Sequence, residues 1–458
     1  MHEAAAAIKK LFLFPVQMGW RIFSRTFTLL FLPVSGAVWL VRLMGHYPKF
    51  RIADRVVLMT NPSSFGYSIQ GPDAARRMVV GEHVLFLIAS WRYDFNPEVI
   101  KLWKDIKGTD VVFIPRFVFV WQLSEKGRVI LPFIKPHDSM VQRLTRWFVR
   151  LVGRGRVRFQ SLMELCDEMV EADTDLASFP DRKLWKGDYA IMMSYVYLLL
   201  RRPAPPLRLP VDVRNNFKRK SHEAWHASGY EEKPKLCCFY LRWRKPSING
   251  SPLKNGGELS SVLPAIRLLN AAGYQVALTG DREITLEIRR EFGGGLIDDV
   301  TIKEDRNIYQ LYAASEAEFF VGNNGGGIIL PVSNGIPCLL LDWYPVIDGF
   351  SRSWLYFKSA IYKDGSPVPY DRFLGEHAFD FKCSFGTLNN ITEEEITEAV
   401  ASFLQDMRKM DAPDPHADVA ALIPQGSVFH HAGSRLSPAW VRRNAPEQRA
   451  PVCAGKQE

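Results

Sequence analysis

The sequence predicts an α/β protein with two domains, each built on a parallel β-sheet. From residue 55 onward, short β-branched runs alternate with longer helical patterns, and the alternation starts again near residue 235 after a polar, proline-rich stretch. At 458 residues, the chain also exceeds what one hydrophobic core usually organises, since domains of about 100–150 residues are commonest. Such alternation is typical of parallel sheets with helices on both faces.

The composition indicates an anionic partner and a reducing compartment. Lys and Arg total 58 against 49 Asp and Glu, a formal net charge of +9, which favours nucleic acid, lipid head groups or a phosphorylated substrate. No basic helix with interleaved base-reading residues is present, so we expect no nucleic-acid partner. The six cysteines show no CxxC spacing, and we expect buried thiols rather than a zinc ribbon or a disulfide scaffold.

Residues 1–50 are predicted to form a membrane-interacting helical segment. The longest uncharged run, Thr26–Val41, has 16 residues, whereas a spanning helix needs about 20. Trp20 and Trp39, with flanking cations, favour a helix lying in the membrane interface, and packing on the protein's own core is the alternative. A second basic and aromatic stretch, Arg143–Arg158, fits anionic lipid, acidic glycan or a solvated charged face.

The remaining chain divides by its patterns into four parts. Residues 51–200 form the predicted N-terminal domain, with strands at 55–60, 84–89 and 110–114. Residues 201–234 form a basic, proline-rich linker, residues 235–410 the C-terminal domain, and residues 411–458 a poorly ordered tail. In the C-terminal domain we expect strands at 236–241, 274–279, 317–321 and 336–341, and a last helix from Thr392 to about Lys409.

The sharpest signal is a glycine-rich loop between two apolar strands. Gly322 directly follows the first strand, and a helix is expected to begin at Gly327. Glycines let the backbone approach a ligand, and a helix start presents unpaired N–H groups, so this is a candidate anion site; a plain tight turn is the alternative. No GK[ST] follows, and GxGxxG is absent. The loop residues are Asn323, Asn324, Gly325, Gly326 and Gly327.

Arginines follow the first strand of the same domain. Arg242 and Arg244 end the run FYLRWR, where a guanidinium could bind a diphosphate bidentately and neutralise a leaving phosphate; a salt bridge at a domain edge is the alternative. Among the other cations of this half, Arg352 and Lys358 rank highest because they follow the last apolar strand, ahead of Lys303 and Arg306.

Two further motifs resemble metal sites. His222 to His226 reads HEAWH, the zincin pattern, but it lies beside Lys218, Arg219 and Lys220, whose charges oppose a dication, and a short surface helix is the preferred interpretation. Asp173 and Asp175 form a DTD that ends an amphipathic helix rather than following a strand, which favours a solvated helix end. We therefore expect no metal and no other cofactor.

The C-terminal half resembles a known family. The runs YLRWRKP, ELSSVLPAIRLLNAAGYQVALTGD and NIYQLYAASEAEFFVGNNGGGIILPVSNGIPCLLLDWYP resemble the donor-binding half of bacterial glycosyltransferases of the GT-B type, and more distantly heptosyltransferases and protein O-fucosyltransferases. The resemblance implies two Rossmann-like domains facing a cleft, a nucleotide-sugar donor, and Arg242 at its diphosphate. Tyr240 stands where such proteins often carry a histidine two residues before the arginine.

The resemblance also implies an acceptor side in the N-terminal half. In such folds the loop after the first strand faces the cleft, which makes Ser64, Phe65, Gly66 and Tyr67 candidates, with a plain connecting loop as the alternative. An inverting transferase needs a base for the acceptor hydroxyl, and Asp94 is the first candidate. The weaker candidates are His83 and Asp181.

These expectations combine into one functional hypothesis. It is a metal-independent glycosyltransferase, peripheral on the cytoplasmic face of a bacterial inner membrane. It would move a sugar from a nucleotide-sugar donor to a glycan or lipid-linked acceptor in surface-polysaccharide or lipopolysaccharide assembly. A sugar-nucleotide epimerase on the same scaffold and a non-catalytic glycan or sugar-nucleotide binding protein are the alternatives.

Overall fold

The structure is a computed structural model that divides into two compact units. Each unit contains one parallel sheet, as the sequence predicts. The first unit takes residues up to 63, 79–97 and 107–165, and the second takes 64–78, 98–106 and the rest of the chain. The residues described are 32–60, 65–90, 96–115, 138–172, 195–196, 198–231, 234–242, 262–292, 295–323, 325–380, 383–410 and 412–445.

The first unit is built on a four-stranded parallel sheet of order β3-β2-β1-β4. Its strands are β1 (Arg55–Thr60), β2 (Val84–Ser90), β3 (Thr109–Pro115) and β4 (Arg158–Ser161). Its helices are α1 (Leu32–Met44), α2 (Tyr47–Ile52) and α4 (Asp138–Val152), while α5 (Leu162–Ala172) follows β4. The first three predicted strands are confirmed.

One face of this sheet packs against the layer of α1, α2 and α4. Alternate strand residues such as Val56 and Leu58 are buried together with Leu43 and Phe148 from the helices. Trp39 is 2% exposed, and its indole nitrogen donates to Thr145 Oγ1 at 3.0 Å. The expected position of Trp39 at lipid head groups is therefore wrong, because the protein's own core buries it. Among the described residues, no helix is long and apolar enough to cross a membrane.

The second unit is built on a seven-stranded parallel sheet of order β13-β10-β9-β8-β5-β6-β7. Its strands are β5 (Lys235–Leu241), β6 (Tyr274–Gly280), β7 (Leu296–Ile297), β8 (Phe319–Asn323), β9 (Cys338–Trp343), β10 (Ser353–Phe357) and β13 (Arg435–Leu436). The strands β11 (Ser359–Tyr362) and β12 (Gly386–Asn389) form a separate antiparallel pair.

Helices flank this sheet, and one of them, α3 (Phe65–Met78), comes from the predicted N-terminal domain. The capping box of Thr392 and Glu395 at the last long helix confirms the predicted start. The helices are α3 (Phe65–Met78), α6 (Val211–Ala227), α7 (Leu263–Ala271), α8 (Arg282–Phe292), α9 (Arg306–Glu316), α10 (Ile329–Ser333), α11 (Tyr370–Leu374), α12 (Glu393–Asp406), α13 (Ala417–Ala420), α14 (Val428–Ala432) and α15 (Pro438–Asn444).

Two expected boundaries differ from the structure. The predicted linker contains α6, a 17-residue helix whose Phe217 and Trp225 are buried and whose Ser221 carbonyl accepts from Gln275. The predicted disordered tail is wrong for residues 412–445, since β13 joins the sheet beside β10 and α15 packs on α12. Proline there begins a helix at its first turn rather than marking disorder.

Candidate functional site

The carboxyl edge of the second sheet brings Arg242 and Asn323 together. Strands β5 and β8 are parallel neighbours, with Tyr240 opposite Gly322, so the residues that follow each strand lie side by side. Asn323 Oδ1 accepts from the Arg242 amide at 2.9 Å, and Asn323 Nδ2 donates to the Arg242 carbonyl at 2.8 Å. The Asn323 side chain thus extends the hydrogen bonding between β5 and β8 by one residue. It holds the Arg242 backbone, from which the guanidinium extends.

The glycines of the loop are needed for contacts with Tyr240. A Cβ added at Gly325 would lie 2.8 Å from the Tyr240 hydroxyl and 3.2 Å from Arg242 Cδ. One added at Gly327 would lie 2.4 Å from Tyr240 Cε2, and one at Gly322 would lie 2.8 Å from the Tyr240 carbonyl. The loop therefore packs directly against the Tyr240 ring and the Arg242 stem, and its glycines keep these two side chains in place beside the strand ends.

We expect Gly327→Ala to lower the free energy of unfolding by about 1–3 kcal/mol, because the added methyl overlaps the Tyr240 ring. Urea unfolding of the substitution in two backgrounds measures this. In a Tyr240→Ala background the methyl has space, so the same substitution should cost much less. Equal costs in the two backgrounds would contradict the packing of Tyr240 on this glycine.

The helix that follows the glycines is short. Residues Gly326–Ile328 form a 3₁₀ turn, and α10 adds only five residues. The helix macrodipole arises from peptide dipoles aligned over several turns, so its contribution to an anion site here is smaller than that of a long helix. The positive charge at this edge comes mainly from arginine side chains. Asn324 and Arg244 lie outside the described residues.

Arg306, which was expected to matter less than Arg352 and Lys358, is a second arginine at this edge. Gly280 ends β6, the other neighbour of β5, with φ of +107°, and a Cβ there would overlap the Leu241 carbonyl at 1.9 Å. The Arg306 guanidinium donates to the Gly280 carbonyl, and burial lowers its pKa. The position of Arg306 in the sequence could have indicated this placement. Arg306 is the first residue of α9, and a helix that connects two parallel strands begins near the carboxyl edge of the sheet.

Arg352 lies at the opposite edge of the sheet, so its predicted donor role is wrong. It immediately precedes β10, and its carbonyl accepts from the Cys338 amide at the start of β9 at 2.9 Å. Both positions are amino-terminal ends of strands. The chain after β9 returns across the sheet before β10 starts, and position in the sequence alone does not reveal that return.

Lys358 lies at the carboxyl edge, but its charge is used inside the protein. It is 2% exposed, with Nζ 2.5 Å from Asn390 Oδ1 and 3.4 Å from Asp342 Oδ1. Asp342 also accepts from the Ile391 amide at 2.9 Å. Burial raises the pKa of Asp342 and lowers the pKa of Lys358, since desolvation disfavours both charges. The structure therefore gives Lys358 an internal partner in place of the predicted donor phosphate.

The predicted acceptor residues Phe65, Gly66 and Tyr67 begin a helix rather than forming a loop. Helix α3 packs against α10 and the 3₁₀ turn of the glycine segment, and Arg77 in its last turn donates to the Ser333 carbonyl at 3.2 Å. The start of α3 therefore belongs to the same unit as the glycine loop. Ser64, Asp94 and Asp181 lie outside the described residues.

His83 and the HEAWH motif have ordinary structural partners. His83 Nε2 lies 2.9 Å from Asp110 Oδ2, and Asp110 is also paired with Lys49. In α6, His226 Nδ1 lies 2.8 Å from the Tyr230 carbonyl, and Glu223 pairs with Arg219. Within the described ranges, no three His, Cys, Asp or Glu side chains are grouped as metal ligands would be. The five described cysteines are buried free thiols, as predicted: Cys166, Cys237, Cys238, Cys338 and Cys383.

Comparison with known proteins yields matches among solved structures alone. No family model and no curated protein matches the chain. It is similar to the glycosyl transferase family 9 protein from Veillonella parvula DSM 2008, at 12% identity over 78% of this chain and 98% of that chain, with a TM-score of 0.45. It is also similar to the E. coli ADP-heptose LPS heptosyltransferase II, at 12% identity over 78% and 100%, with a TM-score of 0.38.

A third match is the E. coli heptosyltransferase WaaC with ADP-2-deoxy-2-fluoro heptose, at 12% identity over 66% of this chain and 92% of that chain, with a TM-score of 0.35. These are proteins of the kind that the sequence resemblance named. The TM-scores of these three structures are all below 0.5.

Proposed function

We propose that this chain is a glycosyltransferase of the GT-B type. It moves a sugar from a nucleotide-sugar donor to a glycan or lipid-linked acceptor in bacterial surface-polysaccharide or lipopolysaccharide assembly. The observation that supports this most is the position of Arg242, held through its backbone by Asn323 at the carboxyl edge of a parallel sheet. Ligands of open α/β sheets bind at that edge, and a guanidinium suits a diphosphate.

The chemistry follows from where charge develops. As the bond from the sugar to the diphosphate breaks, negative charge grows on the leaving oxygen, and a fixed guanidinium at that oxygen stabilises the transition state more than the ground state. Arg242 fills this role, and Arg306, one strand away, adds a second positive charge. These cations supply what a metal would otherwise supply. Asp94 as base and Ser64–Tyr67 as acceptor residues remain part of the proposal.

The donor site is tested by thermal stability against nucleoside diphosphates and nucleotide sugars. A ligand at a hundred times its Kd stabilises the folded protein by about 2.7 kcal/mol. We expect one nucleotide class to raise the Tm, and we expect Arg242→Ala to remove that increase. Arg372→Ala is the control, because Arg372, on α11, is exposed and is paired with Glu376. No increase with any nucleotide, or an unchanged increase in Arg242→Ala, would contradict the donor site.

We also propose that the first unit rests on the cytoplasmic face of the inner membrane. The helix layer of α1, α2 and α4 carries large apolar side chains on its solvent side, interspersed with exposed arginines such as Arg143 and Arg150. Apolar groups among cations are what an anionic membrane surface binds. The exposed apolar side chains of this layer are Val41, Met44, Tyr47, Ile52, Trp147 and Leu151, which are 38–70% exposed.

We expect the double variant Trp147→Ala/Leu151→Ala to bind vesicles of phosphatidylglycerol and phosphatidylethanolamine at least tenfold more weakly than the unaltered protein. Both side chains lie one turn apart on α4 and together expose apolar area whose transfer from water is favourable. Vesicle sedimentation measures the binding. Val80→Ala, at another exposed apolar side chain of the same unit, should bind normally. Equal binding by the double variant and the unaltered protein would contradict this membrane face.

A further inference from the structure

A cavity lined by two arginines lies at the amino-terminal edge of the second sheet, opposite the proposed donor site. Its volume is about 470 Å³. It opens where two parallel neighbours, β10 and β13, begin, so it is separated from Arg242 by the length of the strands. The lining residues are Ser351, Arg352, Ser353, Trp354, Met410, Ala432, Gly433 and Arg435.

The two guanidiniums of this cavity lack ion-pair partners among the described residues. The exposed Arg352 side chain donates from Nε to Met410 Sδ at 3.1 Å, and a thioether sulfur is a weak acceptor. Arg435 Nη2 donates to the carbonyls of Met410 and Ala412 at 2.7 and 2.6 Å, while its buried Nη1 makes no hydrogen bond. No carboxylate lines the cavity, so its lining carries a charge of two.

The acidic groups near this cavity are engaged elsewhere. Asp406 Oδ2 accepts from the Trp354 indole at 2.6 Å, and Asp414 Oδ1 accepts from the His416 amide at 2.9 Å. Arg435 is close enough to lower the pKa of Asp414, although burial raises that pKa overall. Neither carboxylate is part of the lining, so an anion entering the cavity would meet the two arginines first.

The backbone of Arg352 adds an independent observation. Its φ is +58°, a left-handed conformation that residues other than glycine, asparagine and aspartate rarely adopt. Glycine would adopt this conformation without strain, but the chain has an arginine here, whose Cβ makes the conformation strained. Strained residues of this kind concentrate at ligand sites, where the surrounding structure holds them in place.

From this geometry we infer that the cavity between Arg352 and Arg435 binds the phosphate of a small phosphomonoester such as a sugar phosphate. Two guanidiniums match the two charges of a phosphomonoester better than the single charge of a carboxylate. The cavity has far more volume than a phosphate group fills, and its remaining space accommodates a sugar-sized group. This site is independent of the donor site and does not rest on the proposed transferase activity.

Calorimetric titration of the full-length protein with glucose 1-phosphate tests the site. We expect one binding event, at least tenfold weaker in Arg352→Gly, because one charge-assisted contact is worth about 1.5–3 kcal/mol, which corresponds to about tenfold or more in Kd. Arg352→Gly suits the left-handed backbone and should fold normally. Arg435→Gln should weaken binding similarly. Arg372→Gln, on α11, and Arg242→Ala, at the other edge of the sheet, should bind as the unaltered protein does.

Four results would overturn the inference. They are the absence of binding, binding unchanged in both Arg352→Gly and Arg435→Gln, binding lost in Arg242→Ala, and equal affinities for inorganic phosphate and glucose 1-phosphate. Loss of binding in Arg242→Ala would place the ligand at the carboxyl edge. Equal affinities for inorganic phosphate and glucose 1-phosphate would show that the rest of the cavity does not bind the sugar. Failure of this site would leave the nucleotide-dependent increase in Tm unaffected, so the two proposals are tested separately.

Discussion

We expect Asp73→Asn to lower the free energy of unfolding by about 3–5 kcal/mol, because it leaves two buried guanidiniums without a counter-charge. The Asp73 side chain is fully buried, with Oδ1 2.5 Å from Arg76 Nε and Oδ2 3.0 Å from Arg77 Nε. The buried hydroxyl of Tyr195 also donates to Oδ2, at 2.7 Å. Asparagine keeps the size of the side chain but removes its charge. Urea unfolding measures the loss.

The lost stability should come mainly from weaker packing of α3 against its neighbours. Arg77 also donates to the carbonyls of Arg202 and Ser333, so the cluster around Asp73 joins this helix to the segment before α6 and to α10. Asp371→Asn, at an exposed aspartate on α11, should change the stability by less than about 0.5 kcal/mol. A loss below 1 kcal/mol for Asp73→Asn would contradict the interpretation that its charge is needed to hold α3.

We expect Lys358→Met to cost a similar amount, about 3–5 kcal/mol, because Asp342 stays buried without its cation. The hydrogen bond from Lys358 Nζ to Asn390 Oδ1 is lost as well. Methionine fills a similar volume, so the loss reports the charge and the hydrogen bond rather than a cavity. Urea unfolding again measures the change. Lys363→Met, at an exposed lysine nearby in the sequence, is the matched control and should be nearly neutral.

The double variant Asp342→Asn/Lys358→Met should recover part of that loss, because it removes both buried charges together. The same variants also test the assignment of Lys358. If Lys358 contacted the donor, Lys358→Met would weaken nucleotide binding by the folded protein, whereas the internal ion pair predicts an unchanged nucleotide affinity. Additive losses in the double variant would contradict the pairing of Asp342 with Lys358.

Strands and long helices could be predicted from the sequence because the pattern of apolar residues that marks each of them lies within a short stretch of the chain. The strand RVVLMT is buried on both faces of a parallel sheet, so a continuous apolar run identified it. The packing of α3 in the second unit could not be predicted in this way. It depends on contacts of Asp73 and Arg77 with residues far away in the sequence, such as Ser333. The packed residues 412–445 were missed because short helices between prolines lack periodicity.

The candidate site could be predicted only in part, for a related reason. Arg242 and Asn323 each follow a predicted buried strand, and parallel strands end at one edge, so their meeting follows from topology. Arg352 also follows an apolar strand in the sequence, but the chain had already crossed to the start of the next strand. The role of Tyr240 against Gly325 and Gly327 was missed because three glycines indicate close approach without naming the group that approaches.

The release of nucleoside diphosphate from a nucleotide sugar tests the central claim most directly. In the presence of a lipopolysaccharide-core acceptor, we predict release coupled to sugar transfer, with the turnover of Arg242→Ala reduced about 100-fold or more and that of Arg372→Ala unchanged. Nucleotide binding without release would favour a non-catalytic binding protein, and exchange at a sugar stereocentre without transfer would favour an epimerase. Equal turnover by Arg242→Ala and the unaltered protein would contradict a donor site at the carboxyl edge of the second sheet.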